Sequence, residues 1–261
     1  GRTRSPASTH ERDYRGDLSM SWMRRLLGSV FSLSLLLVLF FTAFQGVIFN
    51  KGYIESEMRK LKIAQSVQME ESDLLELFWK MLDYLSDKRE DLVIEAPIAG
   101  EVREAFNDRE KQHMVDVKRL FSAGFAVRNV SLVVLTGTIA VAVFWRGRRR
   151  EIWRTYGKSL SIVFGAFFAV VAILVILFMK DFNRYFTIFH LLFFDNDLWL
   201  FDPAEDFMIR MLPEGLFYDM AFRVGSLFAG ILVILFLLSL YMRWRENSRK
   251  VKEKTGKKKN D

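Results

Sequence analysis

Four continuous apolar runs, Leu26–Phe49, Val130–Trp145, Leu160–Met179 and Val224–Met242, limit what this chain can fold into. A hydrocarbon layer about 30 Å thick takes about 20 helical residues to cross. Three of the runs meet that length, and Phe121–Val127 extends the second, shorter one. None of them alternates polar with apolar residues as a barrel strand would. In lipid, the backbone of such a run is satisfied only as a helix. The expected architecture is a mainly α membrane protein, with four transmembrane helices capped by an extracytoplasmic domain built from two loops.

Charge sets the orientation. Of 261 residues 51% are apolar, yet 26% are charged and the net charge is +7. The basic residues cluster beside the runs. Arg24 and Arg25 precede the first, Arg146, Arg148, Arg149, Arg150, Arg154 and Lys158 join the second to the third, and a basic tail follows the fourth from Arg243 to Lys259. Lys and Arg are enriched on the cytoplasmic side of spans, so both termini are expected there. Trp22, Trp145, Trp153 and Trp244 fall at the same edge, as an interfacial belt does. Topology and anionic headgroups account for the basic runs, and no nucleic-acid partner is expected.

The expected segments are therefore a polar tail or expression remnant (1–19), first span (20–49), outer loop (50–120), second span (121–145), basic inner loop (146–159), third span (160–179), second outer loop (180–222), fourth span (223–242) and basic tail (243–261). The first run is long for a cleaved signal peptide and lacks an A-x-A-like site, so it reads as an anchor. With no cysteine in the chain, disulfides, thiolate nucleophiles, thiolate metal sites and lipidated cysteines are excluded.

In the first outer loop, Ile54–Gln68 reads as a polar helix. Asp73–Leu85 reads as a helix with one broad apolar face formed by Leu74, Leu75, Phe78, Met81, Leu82 and Leu85. Pro97 and Gly100 mark a break. Glu101–Leu120 is expected to be a helix feeding the second span, with Val102, Phe106, His113, Val117 and Phe121 on one face, which points His113 inward. Asp116 lies one turn on. Arg128, at the outer edge of the second span, either snorkels or pairs with an outer acid.

The second outer loop is unlike a connector. It is rich in Phe, Trp and Tyr, yet carries His190, Asp195, Asp197, Asp202, Glu205, Asp206 and Glu214. Phe182–Phe194 reads as a helix lying against the membrane, and Asp202-Pro203-Ala204-Glu205 as the start of another, ended by Pro213.

Of three histidines, His10 lies in the tail. His113 and His190 are both expected on the outer face, near acids. Histidine is the side chain best suited to moving protons near neutral pH. No G-x-S-x-G elbow supports a serine nucleophile. His113, Asp116, His190 and Asp206 offer nitrogen and oxygen donors, but H-x-x-D alone is a weak metal signal and H-E-x-x-H is absent.

The segments HMVDVK (His113–Lys118) and FHLLFFDNDLWLFDPAEDFMIRMLPEGLF (Phe189–Phe217), set between four spans of this polarity, resemble the bacterial lipoprotein intramolecular transacylase family. The resemblance covers most of Met20–Met242, including LDYL at Leu82–Leu85. It implies transfer of the sn-2 acyl chain of a diacylglyceryl lipoprotein to the α-amine of its own N-terminal cysteine, at the outer leaflet of the bacterial cytoplasmic membrane. The family's two essential histidines map onto His113 and His190. The residues suit such chemistry, since the substrate's amine is the nucleophile and two histidines supply base and acid. His190 is assigned as the base and His113 as its assistant, with the roles exchangeable. Asp116, Asp202 and Asp206 are candidate orienting groups. Lys118, Arg128, Tyr84 or a backbone N–H is the candidate oxyanion donor. Phe193, Phe194 and Trp199 are expected to line the substrate side. Diacylglyceryl lipoproteins and membrane lipids are the expected partners, with no cofactor and no metal. A metal-dependent membrane hydrolase and a non-enzymatic chaperone or sensor are the alternatives.

Overall fold

The computed structural model describes residues 7–145, 147 and 149–257. In chain order, its elements are α1 (Ala7–Ile48), α2 (Lys51–Lys60), α3 (Ile63–Val67), α4 (Glu71–Leu85), β1 (Glu95–Ile98), β2 (Glu101–Glu104), α5 (Asp108–Phe144), α6 (Arg149–Lys180), α7 (Phe182–Phe193), α8 (Phe207–Met211) and α9 (Glu214–Lys257). Four helices carry stretches long and apolar enough to cross a membrane, in Ser21–Ile48, Asp108–Phe144, Arg150–Phe178 and Glu214–Leu238. The chain is thus a multi-pass membrane protein. In α5 the apolar part begins at Phe121; residues 108–120 hold seven charged side chains and form a polar foot in front of it. Helix α1 starts at Ala7, well ahead of the first apolar run, so most of the segment set aside as a tail is helical. Arg146, Arg148 and Lys258–Asp261 lie outside the described residues.

The chain divides into two compact units. The first comprises residues up to Leu39, Val130–Val170 and those from Ala229 on. Its helices are held by Tyr156, whose ring stacks on Phe31 at 4.7 Å and whose hydroxyl donates to the Thr138 carbonyl at 3.0 Å. Arg24 and Glu151 form an ion pair. Gly28 permits a close approach, since a Cβ there would meet Ser159 Oγ at 2.5 Å. Trp22, Trp145, Trp153 and Trp244 all belong to this unit, and all are exposed.

The second unit comprises Phe40–Asn129 and Val171–Phe228. Its core is built on α4, whose Leu74, Leu77, Phe78, Met81 and Leu82 are buried as the helical spacing predicts, joined by Ile54, Phe106 and Met211. The polar helix expected over Ile54–Gln68 is broken into α2 and α3, because Lys62 takes a left-handed φ of 53°. The helix expected from Glu101 is also corrected. Glu95–Ile98 and Glu101–Glu104 form an antiparallel hairpin pairing Ile98 with Glu101 and Glu95 with Glu104. Ala99 (φ 54°) and Gly100 (φ 85°) make its two-residue turn, and positive φ at both central positions matches the right-handed twist of the strands. Pro97 faces Val102 one pair away from the turn, where its missing N–H breaks no ladder bond. Val102 is therefore exposed on a strand, not on the inner face of a helix.

Helix α5 begins only at Asp108, after a reciprocal cap. The Glu110 N–H donates to Asn107 Oδ1 at 2.9 Å, and the Asn107 N–H donates to Glu110 Oε2 at 2.7 Å. The second outer loop is also corrected in one element. Asp202–Glu205 forms a turn, closed by the Ala204 N–H on Asp202 Oδ1 at 2.8 Å and the Asp206 N–H on the Asp202 carbonyl at 2.7 Å. The helix, α8, starts at Phe207. Asp202 caps the turn in front of it.

Candidate active site: a buried histidine pair under a stapled aromatic loop

His113 lies on the polar foot of α5, and His190 on the last turn and a half of α7; each is only 6% exposed. Their ring centroids are 6.0 Å apart, with 30° between the planes. Residues 77 positions apart (190 − 113) are thus paired within one unit.

The pair has an aromatic wall. Phe194 and Phe201 meet the His113 ring at 5.1 and 5.4 Å, both edge-on. The indole of Trp199 stacks on His190 at 4.8 Å, Phe186 lies 4.2 Å from it, and Phe189 and Phe194 lie 5.4 and 5.5 Å away. His190 Nδ1 is 2.8 Å from the Phe186 carbonyl oxygen. A carbonyl only accepts, so Nδ1 carries the proton and Nε2 of the neutral ring keeps its lone pair. His113 Nδ1 and Trp199 Nε1 are the buried side-chain nitrogens and oxygens without a partner among the described residues, and both belong to this cluster.

Burial disfavours the imidazolium form of each histidine. Desolvation, with a smaller contribution from His190, pushes His113 down to about 4 against a weaker opposing pull from Asp116. Desolvation also lowers His190, partly offset by its bond to the Phe186 carbonyl. Both rings are neutral at pH 7.

The loop 195–206 and the start of α8 hold the wall in place, and the foot of α5 with its cap residue Asn107 staples them at four points. Asn196 Nδ2 donates to Asp116 Oδ2 at 2.9 Å. Arg109 Nη2 donates to the Asp197 carbonyl at 2.8 Å. Asn107 Nδ2 donates to Asp206 Oδ1 at 2.8 Å, and the Met208 N–H donates to Glu110 Oε1 at 2.5 Å. Arg109, Glu110 and Asp116 lie three or four positions from His113, on its side of the helix. One helical face therefore both carries the histidine and anchors the loop over it. Glu110 is fully buried, and desolvation raises its pKa against the hydrogen bonds that stabilise its charge.

The remaining candidates from the sequence divide. Phe194 and Trp199 join the pair, whereas Phe193 is half exposed at the end of α7, beside exposed Leu191 and Leu192. Asp116 makes no hydrogen bond to a histidine and instead holds Asn196 and Arg119. Asp206, 4% exposed, accepts from Asn107 and from the Asp202 N–H at 2.7 Å, so Asp202 and Asp206 shape the loop and do not touch the histidines. Lys118 pairs with Asp87 at 2.8 Å and lies 4.5 Å over the Tyr84 ring. Arg128 is held by Asn129 at 2.9 Å, over Phe125. Among the described residues, no three His, Asp or Glu side chains converge as metal ligands. Asn107, Arg109, Glu110, Asn196 and Phe201 were missed by sequence reasoning. The N-x-x-E spacing is a cap signature that points to Asn107 and Glu110.

The family described as lipoprotein intramolecular transacylase Lit matches residues 29–217. An uncharacterized protein of Aquifex aeolicus (strain VF5) is 33% identical over 135 residues, covering 51% of this chain and 54% of that protein, so the chain spans about half the length of this curated relative. The in meso structure of the membrane integral lipoprotein intramolecular transacylase Lit from Bacillus cereus has the same fold, with a TM-score of 0.67 at 22% identity over 87% of this chain and 99% of that one. A form of it with a histidine-to-alanine mutation gives 0.67 at 21% identity, over 89% and 99%.

Proposed function

The chain belongs to the lipoprotein intramolecular transacylase family, and from that premise we propose that it moves the sn-2 acyl chain of a diacylglyceryl lipoprotein onto the α-amine of the same lipoprotein's N-terminal cysteine. The observation that carries this reading is the buried pair His113 and His190, with ring centroids 6.0 Å apart and Nε2 of His190 left as a free base.

In this reaction the amine nitrogen attacks the sn-2 ester carbonyl. His190 Nε2 takes the proton that the amine sheds. The tetrahedral intermediate collapses, the carbonyl carbon–oxygen bond to the glyceryl group breaks, and the leaving oxygen takes a proton from the histidine pair. The products are an amide and a free sn-2 hydroxyl, so atoms and charge balance without a second substrate. A neutral imidazole with a lowered pKa stays available as a base below the pH at which an exposed histidine charges. The α-amine has an ordinary pKa of about 8, so a base must assist it at neutral pH. Holding ester and amine in one molecule supplies part of the acceleration, at best about 7–11 kcal/mol. The exposed apolar residues Leu191, Leu192 and Phe193 on α7 suit a substrate that is half lipid. The arrangement of the basic residues supports cytoplasmic termini and a site at the outer leaflet.

The test is expression in a bacterium that makes diacylglyceryl lipoproteins but cannot N-acylate them. Tandem mass spectrometry then reads the lipid-modified N-terminal peptide. Wild type should move one acyl chain from glyceryl to nitrogen, and His113→Ala and His190→Ala should leave it in place. An unchanged diacyl peptide from well-folded wild type sinks the reading. Free fatty acid without N-acylation points to hydrolysis.

A further inference from the structure

We propose that the indole N–H of Trp199 is the donor that binds the carbonyl oxygen of the scissile ester and the negative charge that develops on it. This rests on the transacylase reading above and adds a group to it. A tetrahedral intermediate formed by attack on an ester carries an oxyanion, and an acyl-transfer site needs a positioned donor for it. Two of the side chains suggested by sequence for that role are engaged elsewhere, Lys118 by Asp87 and Arg128 by Asn129.

Trp199 is differently placed. Its ring stacks on the catalytic base candidate His190 at 4.8 Å with 30° between the planes. Its Nε1 is buried and has no partner among the described residues. An indole nitrogen only donates, and leaving a buried donor unmet is unfavourable, so the position calls for an acceptor from outside the chain. The other unpartnered buried nitrogen, Nδ1 of His113, lies on the ring that also neighbours His190. Unmet polar capacity is thus concentrated around one imidazole, where the reacting atoms have to sit.

The donor is also preorganised. Trp199 follows closely on two residues that the foot of α5 staples, Asn196 through Asp116 and Asp197 through Arg109, and the Phe201 N–H closes back on the Trp199 carbonyl at 3.1 Å. An indole has a chemical advantage over lysine or serine here. It is not a nucleophile, so it cannot divert the acyl chain from the substrate's amine. It is also neutral, so it does not oppose the proton that the histidine pair must accept.

The experiment uses the full chain in detergent with a synthetic diacylglyceryl-cysteine peptide, a phosphonate analogue of its sn-2 ester that mimics the tetrahedral centre, and an ether analogue that does not. Two variants are compared with wild type. Trp199→Phe keeps a stacked ring, and replacement of Trp199 by benzothienylalanine exchanges the N–H for sulfur at nearly constant shape. Both should transfer the acyl chain about 10²–10³-fold more slowly, the loss typical of removing one oxyanion donor. Both should bind the phosphonate correspondingly more weakly and the ether as wild type does. Wild-type transfer by the benzothienylalanine variant overturns the proposal. Equal weakening of phosphonate and ether also overturns it, because that is the signature of lost packing. Failure of wild type itself to form the N-acyl product overturns the transacylase reading.

Discussion

The backbone N–H of Met208 donates to Glu110 Oε1 at 2.5 Å, joining residues 98 positions apart. The other oxygen of the same carboxylate caps α5 through the Asn107 N–H. Glu110 therefore starts the helix that carries His113 and fastens the loop that carries Trp199 and Phe201. Position and charge coincide there: the carboxylate is fully buried, and its charge is held by backbone N–H groups.

Glu110→Ala should lower stability by about 1–3 kcal/mol, because it leaves the buried Met208 N–H unmet, and it also removes the cap bond of the half-buried Asn107 N–H. Thermal unfolding in detergent measures this. Glu76→Ala removes an exposed pair with Lys80 and should cost within about 1 kcal/mol. Equal midpoints for the two variants would refute the stapling role.

The lowered pKa values of the histidines set the sign of the pH response. Between pH 6.5 and about 4 the unfolded chain binds a proton that the folded chain, with His113 neutral, does not, and the lowered His190 acts in the same direction below pH 6.5. Stability should therefore be complete above pH 6.5 and fall as the pH drops through that window. Thermal midpoints at pH 7.5 and 5.0 should diverge more for wild type than for His113→Gln. Midpoints that fall equally in wild type and in His113→Gln would contradict the burial of His113.

The absence of cysteine makes topology directly testable. A single cysteine placed at exposed Glu101 should react with a membrane-impermeant maleimide in intact cells. One placed at exposed Lys158 should react only after permeabilisation. The reverse pattern would invert the proposed orientation.

The hairpin turn provides a separate test of the fold. Gly100 has φ 85°, where a Cβ costs about 1–2 kcal/mol. Gly100→Val should lower the unfolding midpoint accordingly, although nothing lies within 4 Å of its Cβ position. An unchanged midpoint would mean that residues 95–104 do not form this turn.

Chelation should leave acyl transfer unchanged. Asp116 and Asp206, the acids that a histidine-based metal site would need, are hydrogen-bonded to Asn196 and Asn107. Loss of transfer in EDTA, restored by zinc, would favour the hydrolase alternative.

Much was legible in the sequence, for reasons that are local. The spans follow from runs of apolar residues that only a helix can satisfy in lipid. The buried face of α4 follows from its period, and α7 from a continuous apolar pattern up to Phe193. The inward aim of His113 follows from its helical spacing to Val117 and Phe121. Errors arose where local signals compete. Glu101–Glu104 has good helix formers, but the left-handed Ala99-Gly100 turn and the cap at Asn107 claim the segment for a strand. Asp-Pro-x-Glu reads as a helix start, but Asp206 binds the Asp202 N–H and closes a turn first.

What the sequence determined alone is the membrane architecture, the identity of the two histidines and the family pattern around them, because these depend on composition and spacing along the chain. Only the tertiary structure decided which polar groups meet. It placed His113 6.0 Å from His190, gave Asp116 and Asp206 to the loop, took Lys118 and Arg128 away from the pair, and left Trp199 Nε1 unmatched. Hydrogen bonds and ion pairs act over about 3 Å between residues tens of positions apart. No periodicity along one chain encodes that proximity; it appears only when burial of the α4 core and the α5 foot brings residues 50–120 and 180–222 together.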